Sequence, residues 1–314
     1  MTWRAKSSVG GLVGLLLIGF IVVFDGWLLH LLFVHSIGAQ QINFGTFLIG
    51  LVVLLSVPLL LILAYQTVSC LTLRYHLDRN GVAIRWFGSE QILPIRDVQQ
   101  IVPGYQADER RPADERRPLG STLVRRHGLR WPGHERGEGW VPGIGRTQFL
   151  ATRPVAEQLL LVTPGRAFAI SPHDPEGFMR GFEARRELGP NRLLERELRR
   201  AGWFTWPFWT DRTAWALLGA ALVVNLGLFA TLCARFPGLD FNLPLHFDRW
   251  GQVDRPGTKI EVFGLPIIGL LILITNLGLG LVLYRRERAG SYLLWGAAAA
   301  VQALFWLAAM SIVP

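Results

Sequence analysis

The stretch Leu73-Arg74-Tyr75-His76-Leu77-Asp78-Arg79-Asn80-Gly81-Val82-Ala83-Ile84-Arg85-Trp86 decides how the chain is organised. Leu73, Tyr75 and Leu77 alternate with polar neighbours, and Val82, Ile84 and Trp86 resume the alternation, which is the period of strands buried on one face. Between them, Asn80-Gly81 predicts a type I′ turn with positive φ at both residues. The hairpin opens the one long polar run of the chain, Thr72 to Leu188, with apolar sequence on either side. Within that run, Gln91 to Ile95 and Asp97 to Val102 read as strands, and Gln158 to Thr163 and Arg166 to Ile170 flank Pro164-Gly165 as a second hairpin. Ser171 or Asp174 can cap a following helix; Pro175 suits its first turn, and Phe178, Met179 and Phe182 recur at helical spacing. Antiparallel strands closed by a C-terminal helix make a small α+β domain.

Outward from this domain the chain is apolar. Five runs, Val9 to Val34, Phe44 to Tyr65, Thr213 to Ala234, Ile260 to Tyr284 and Ala289 to Val313, each reach about 20 residues, enough to cross about 30 Å of hydrocarbon as helices. With 51% hydrophobic residues and 12 Trp, the composition is that of an integral membrane protein. The expected fold class is therefore a multi-pass α-helical membrane protein of about five transmembrane helices with an inserted α+β domain. Its expected parts are two spans over 1–71, the domain over 72–188, an amphipathic interfacial segment over 189–212, and three spans over 213–314 with an outer loop at 235–259. Arg4 and Lys6 before an apolar run resemble a secretory signal, but the run is long and lacks a small-residue cleavage pattern, so an uncleaved first span is expected. The two cysteines, Cys70 and Cys233, fall on opposite faces in this arrangement, and no disulfide is expected.

Charge predicts orientation. The segment from Thr67 to Arg212 holds 23 Arg against 17 acidic residues, whereas Arg235 to Glu261 holds four charges of each sign. By the positive-inside rule the N-terminus, the domain and the loop after Tyr284 are cytoplasmic, and the C-terminus is extracytoplasmic, in the cell membrane. Topology thus accounts for most of the formal charge of +9. The arginines are interspersed with acids and no nucleic-acid motif occurs, so nucleic acid is not an expected partner. Anionic lipid headgroups are, because the spans would pin the domain near a negatively charged leaflet.

Several short pieces of the polar run, Tyr75 to Ile84, Leu93-Pro94-Ile95-Arg96-Asp97-Val98, Trp131-Pro132-Gly133, Pro142-Gly143-Ile144-Gly145 and Ile170 to Phe178, together resemble a bacterial pleckstrin-homology-like (PH) domain of uncharacterised membrane proteins. The resemblance covers about a third of the chain. It implies a curved, partly open β-barrel plugged at one end by the helix, and it implies no catalytic residues. Farther on, Asn242-Leu243-Pro244-Leu245-His246-Phe247-Asp248-Arg249-Trp250-Gly251, followed by Lys259 and Pro266, resembles an uncharacterised membrane family that accompanies SdpI-type immunity and signalling proteins. That resemblance implies a membrane binding or signalling role.

The connecting segments read as follows. Ala107 to Pro118 is a tandem Ala-Asp-Glu-Arg-Arg-Pro duplication, too charged and Pro-rich to bury a core, and is expected to be a solvated loop. Asn191 to Ala201 has an amphipathic pattern, and Trp203, Phe204, Trp206, Phe208 and Trp209 follow it, which suits an interfacial anchor. Arg235 to Lys259 shows no evident helix or strand and is long for a connection. Pro58, after Ser56, predicts a kink in the second span.

Reactive chemistry is mostly excluded. His134-Glu135 lacks the second His of a zinc-protease helix, and Ser171, His173 and Asp174 fit a helix cap better than a triad. Gly137, Gly139, Gly143 and Gly145 are spaced as turn glycines and not as a phosphate loop. No catalytic residue, cofactor or metal site is expected. The candidate functional residues are Asp25, His246, Asp248 and Lys259. Asp25 is either an ion or proton site at membrane depth or a residue of the outer interface; His246, Asp248 and Lys259 could form a hydrogen-bonded cluster on the outer loop, near His35. Two functions compete. One is a non-enzymatic membrane protein whose PH-like domain binds or scaffolds a protein partner, a membrane complex or lipid headgroups. The other is a small transporter or an immunity or signalling protein that works through the outer loop.

Overall fold

The computed structural model describes residues 1–37, 41–109, 131–247 and 253–313. The chain divides into two compact units, one of residues 1–21 and 58–205, the other of residues 22–57 and 206–314. Along the chain run β1 (Thr2–Arg4), α1 (Val9–Leu31), a π-helical turn (Leu32–Ile37), α2 (Phe44–Thr72), β2 (Arg74–Leu77), β3 (Gly81–Trp86) and β4 (Ser89–Pro94). There follow β5 (Gln100–Pro103), α3 (Gly104–Glu109), β6 (Glu135–Val141), β7 (Gly145–Ala151), β8 (Leu159–Thr163), β9 (Arg166–Ile170), α4 (Pro175–Leu188) and β10 (Glu197–Arg200). Last come α5 (Arg212–Arg235), β11 (Asn242–Phe247), β12 (Val253–Thr258), α6 (Gly264–Tyr284) and α7 (Arg288–Ile312).

In the first unit two five-stranded sheets, β1-β2-β3-β4-β10 and β5-β8-β9-β7-β6, enclose the domain core. The alternation of Tyr75, Leu77, Val82, Ile84 and Trp86 points those side chains inward, where Leu93, Leu161, Phe168 and Ile170 meet them. Phe178 and Phe182 of α4 are fully buried against the same cluster, so the helix plugs it. Asp174 caps that helix, its Oδ1 accepting from the Gly177 N–H at 2.8 Å, with Pro175 in the first turn. At the other end Arg79 donates to the Leu188 and Gly189 carbonyls at 2.5 and 2.6 Å, placing a cation where the helix dipole is negative. Inside, the Tyr75 hydroxyl donates to Leu150 O at 2.9 Å and accepts from the Ser171 N–H at 3.1 Å, so a fully buried phenol has its polar end satisfied.

The β2–β3 connection is not a type I′ turn. Gly81 lies outside the positive-φ glycines and begins β3; Asp78 Oδ1 accepts from the Asn80 and Gly81 N–H groups at 2.7 and 2.8 Å, an Asx turn. Glycine is needed at 81 for another reason: a Cβ there would stand 2.3 Å from Leu93 O of the paired strand. The tight hairpin turn with positive φ is instead at Gly88, between β3 and β4 (φ 67°). The Pro164-Gly165 hairpin forms as expected, with φ 83° at Gly165. Gly143 and Gly145 turn the chain between β6 and β7, but Gly137 and Gly139 sit within β6, paired with Phe149 and Thr147, and are not turn residues.

Two strands join the first sheet from outside the polar run. Thr2–Arg4 pairs with β2, and Glu197–Arg200 pairs with β4 as an exposed edge strand, where the sequence suggests only an amphipathic segment. The physical reason is backbone pairing: β4 has a free edge, and the four exposed residues Glu197 to Arg200 can satisfy it without a buried side chain. The tandem repeat also differs in part, since α3 includes its first three residues; the remainder lies outside the described residues.

Five helices among the described residues are long and apolar enough to cross a membrane: Val9–Val34, Phe44–Thr72, Arg212–Gly238, Lys259–Tyr284 and Arg288–Ile312. In the second unit α5, α6 and α7 pack on one another through small residues. A Cβ at Gly280 would stand 2.3 Å from Trp295 Nε1, and one at Gly227 would stand 2.6 Å from the Trp306 ring. The segment expected to lack regular structure holds the β11–β12 hairpin. Pro244 fits because a two-stranded ribbon leaves outward positions unpaired, and the register shifts between Leu243 and His246.

Candidate functional sites

Asp25 and Ser56, from the first and second apolar helices, stand together. Ser56 Oγ lies 2.5 Å from Asp25 Oδ2 and 2.7 Å from the Val53 carbonyl oxygen. Asp25 is half-buried and Ser56 is buried. Of the outer candidates, Lys259 is the one whose side chain is described. Its Nζ lies 4.6 Å over the Phe236 ring, and its backbone N–H donates to Phe241 O at 3.0 Å. Thr258 precedes it in a reciprocal capping box with Glu261. The backbone of His246 pairs with Arg255 across the β11–β12 hairpin; Asp248 and the side chains of His246 and His35 lie outside the described residues. Among the described residues no three His, Cys, Asp or Glu side chains group closely enough for a metal ion.

The first sheet carries a site that spacing along the sequence does not show. Its register places Arg4 opposite Arg74, Arg74 opposite Arg85, Arg85 opposite Glu90 and Glu90 opposite Arg199. Directly opposed residues point to the same side of a sheet, so four arginines and one glutamate cross the outer face in a single row. All four arginines are exposed. Arg85 pairs with Glu90 at 2.5 Å and Arg199 with Glu197 at 2.8 Å; Arg4 and Arg74 have no side-chain ion pair or hydrogen bond among the described residues. The row lies where the apolar helices leave the domain, for Arg74 follows the last residue of α2 by two positions and Arg4 precedes α1 by five. In the next row His76 Nδ1 is 2.9 Å from Thr2 Oγ1, and partial burial, then the N-terminal amine and Arg85, disfavour its protonation.

The domain grips the ends of α1 and α2 that belong to its unit. Trp131 Nε1 donates to Gly10 O at 3.1 Å, Ser8 Oγ meets Cys70 Sγ at 3.2 Å, and Arg136 donates to the Tyr65 hydroxyl at 2.9 Å while stacking over the Trp86 ring. Phe87 and Phe204 close on the Tyr65 ring at 6.0 and 5.7 Å between centroids. Beside this contact His134 is buried with Nδ1 unpartnered among the described residues, and burial followed by the nearby Arg136 charge pushes its protonation down to about 4.

Two polar clusters lie in the second unit. Asp211, before α5, accepts from the Thr213 and Ala214 N–H groups at 3.0 and 3.1 Å and from the Tyr284 and Tyr292 hydroxyls at 2.6 and 2.5 Å. The two phenols, then the backbone donors, hold its carboxyl at about 2. Between α5, α6 and α7, Asn225 Nδ2 donates to Pro266 O at 2.9 Å and Gln302 Oε1 at 2.8 Å, and Gln302 Nε2 donates to Gly269 O at 2.6 Å. Polar residues in apolar runs were visible in the sequence; which of them meet was not.

No curated protein and no solved structure matches the chain. Residues 73–186 match the bacterial PH domain family, so the two sheets and α4 contain a bacterial PH domain within a chain that also carries five long apolar helices.

Proposed function

We propose that this is a non-enzymatic multi-pass protein of the cell membrane in which the PH-like domain is a cytoplasmic binding and scaffolding module pressed against anionic lipid headgroups. The arginine row Arg4-Arg74-Arg85-Arg199 is the observation that carries this reading. Extended chain advances at most about 3.6 Å per residue, so Arg74 lies within about 7 Å of the end of α2. If α2 spans the bilayer, its neighbouring row meets the headgroup layer. Each arginine near an anionic surface contributes about 1 kcal/mol of attraction, screened within about 8–10 Å at physiological salt. The arginine excess of the same segment supports its cytoplasmic placement, with the N-terminus on that side and the C-terminus outside. A transport or immunity role through the outer loop would need His246, Asp248 and Lys259 to act together, and the cation–π contact of Lys259 with Phe236 does not favour it.

The test is hydrogen exchange on the intact protein in nanodiscs of neutral or anionic lipid. Anionic lipid should protect the backbone of Arg74 to Pro94 in the wild type and in an Arg180/Arg186/Arg192→Gln control, but not in an Arg74/Arg85/Arg199→Gln variant. Equal protection in both variants would show that net charge, not this row, is sensed. No lipid effect in any of them would leave a protein partner as the occupant of the domain. Single cysteines at Asp114 and Gln252, labelled from either side, test the orientation.

A further inference from the structure

The Asp25–Ser56 contact poses a question of hydrogen count. Ser56 Oγ has one hydrogen and two acceptors in reach, Asp25 Oδ2 at 2.5 Å and Val53 O at 2.7 Å. The contact with Val53 is the back-bond that helical serines make to a carbonyl of the preceding turn. If the hydroxyl hydrogen goes there, the short contact with Asp25 needs a second hydrogen, which only the carboxyl can supply. We infer that Asp25 carries a proton and donates it to Ser56, so that the pair is a proton-binding site within the first two apolar helices.

The surroundings agree. Asp25 makes one hydrogen bond among the described residues, whereas a carboxylate removed from water needs several donors. No other acid or base occurs in α1 or α2 apart from His30, Tyr65 and Cys70. The wall that α5 and α6 present to the neighbouring α2 residues Leu51 and Leu54 is formed by side chains such as Leu226, Phe229, Cys233 and Ile267, with no charge among them. Rising about 1.5 Å per residue, α1 places Asp25 about 14 Å from the Val34 end of its span and α2 places Ser56 about 18 Å from Phe44, both near the middle of a hydrocarbon layer about 30 Å thick. The two helices bring their polar groups to one depth. The site differs from the arginine row in place and chemistry, and it rests on the reading that these helices cross the bilayer.

A buried carboxylic acid reacts with an apolar carbodiimide. The acid O–H adds across a C=N bond, the carboxyl oxygen bonding to carbon and the proton passing to nitrogen. The acyl group then migrates to nitrogen as a stable acylurea, with no atom lost. The experiment treats the intact protein in native membranes with dicyclohexylcarbodiimide and, separately, with a water-soluble carbodiimide, reading adducts by peptide mass spectrometry. Modification of Asp25 by the apolar reagent only, its complete loss in Asp25→Asn, and an infrared carboxylic-acid carbonyl band that disappears in Asp25→Asn and shifts but persists in Ser56→Ala are expected. Absence of that band from the wild type, or equal modification by the water-soluble reagent, overturns the inference. Alkaline extraction of the same membranes reports separately on membrane insertion, and circular dichroism of both variants reports on folding.

Discussion

Trp131 donates its indole N–H to the carbonyl oxygen of Gly10 at 3.1 Å, joining the turn before β6 to the first turn of α1. The contact is possible only because position 10 has no side chain: a Cβ there would stand 2.0 Å from the Pro132 carbonyl oxygen. The neighbouring turn is equally tight, with a Cβ at Gly14 falling 2.0 Å from Thr67 Oγ1.

Gly10→Ala should therefore push the domain off α1. The expected cost is about 1–3 kcal/mol, the range of overpacking a close contact. Gly19→Ala, where a Cβ meets nothing within 4 Å, is the matched control. Thermal unfolding of the purified protein should show a lower midpoint for the first variant and an unchanged or slightly higher one for the second.

His134 gives a pH test. Its folded-state protonation is displaced from 6.5 to about 4, so the unfolded chain binds a proton that the folded chain refuses between those values. Stability contributed by neutral His134 is complete above about 6.5 and is lost as pH falls toward about 4. Relative to the wild type, His134→Gln should flatten the decline of domain stability across this window. Parallel curves for the two proteins would remove His134 as the cause.

Asp211 contributes in the same sense over a lower window, because its carboxyl is held at about 2, below the ordinary 3.8. Its stabilisation is present above about 3.8 and fades as pH falls through about 2. Asp211→Ala removes a helix cap and leaves Tyr284 and Tyr292 without their acceptor; a loss of about 1–2 kcal/mol is expected, in keeping with caps of this kind. Ultraviolet difference spectra of the two tyrosines should change together with the unfolding midpoint.

Gln302→Leu tests the polar pair between α5, α6 and α7. It frees the Gly269 carbonyl and one Asn225 hydrogen, at about 0.6–1.7 kcal/mol for an interhelical hydrogen bond of this kind. The double change with Asn225→Leu should cost less than the sum of the two single changes, since no polar partner is then stranded. Strict additivity would show that the two amides act independently.

Elements whose cause is local are legible along the chain. Five apolar runs become five long helices because each is a long, nearly uncharged stretch; the alternation around Tyr75 and Ile84 becomes strands; Asp174-Pro175 starts a helix because both residues act on its first turn. The same locality explains the misreading at Asn80-Gly81. A type I′ turn and an Asx turn share these residues, and only the approach of Leu93 from the next strand decides between them. The β11–β12 hairpin is not evident along Arg235 to Lys259, because its pairing is irregular, with register shifts on both sides of His246. Tertiary structure alone decided what depends on register and on distant pairing. Arg4, Arg74, Arg85 and Arg199 are separated along the chain and become one row only when five strands pair. Asp25 is conspicuous as an acid in an apolar run, but its partner Ser56 is 31 residues away, and their contact exists only once two helices lie side by side.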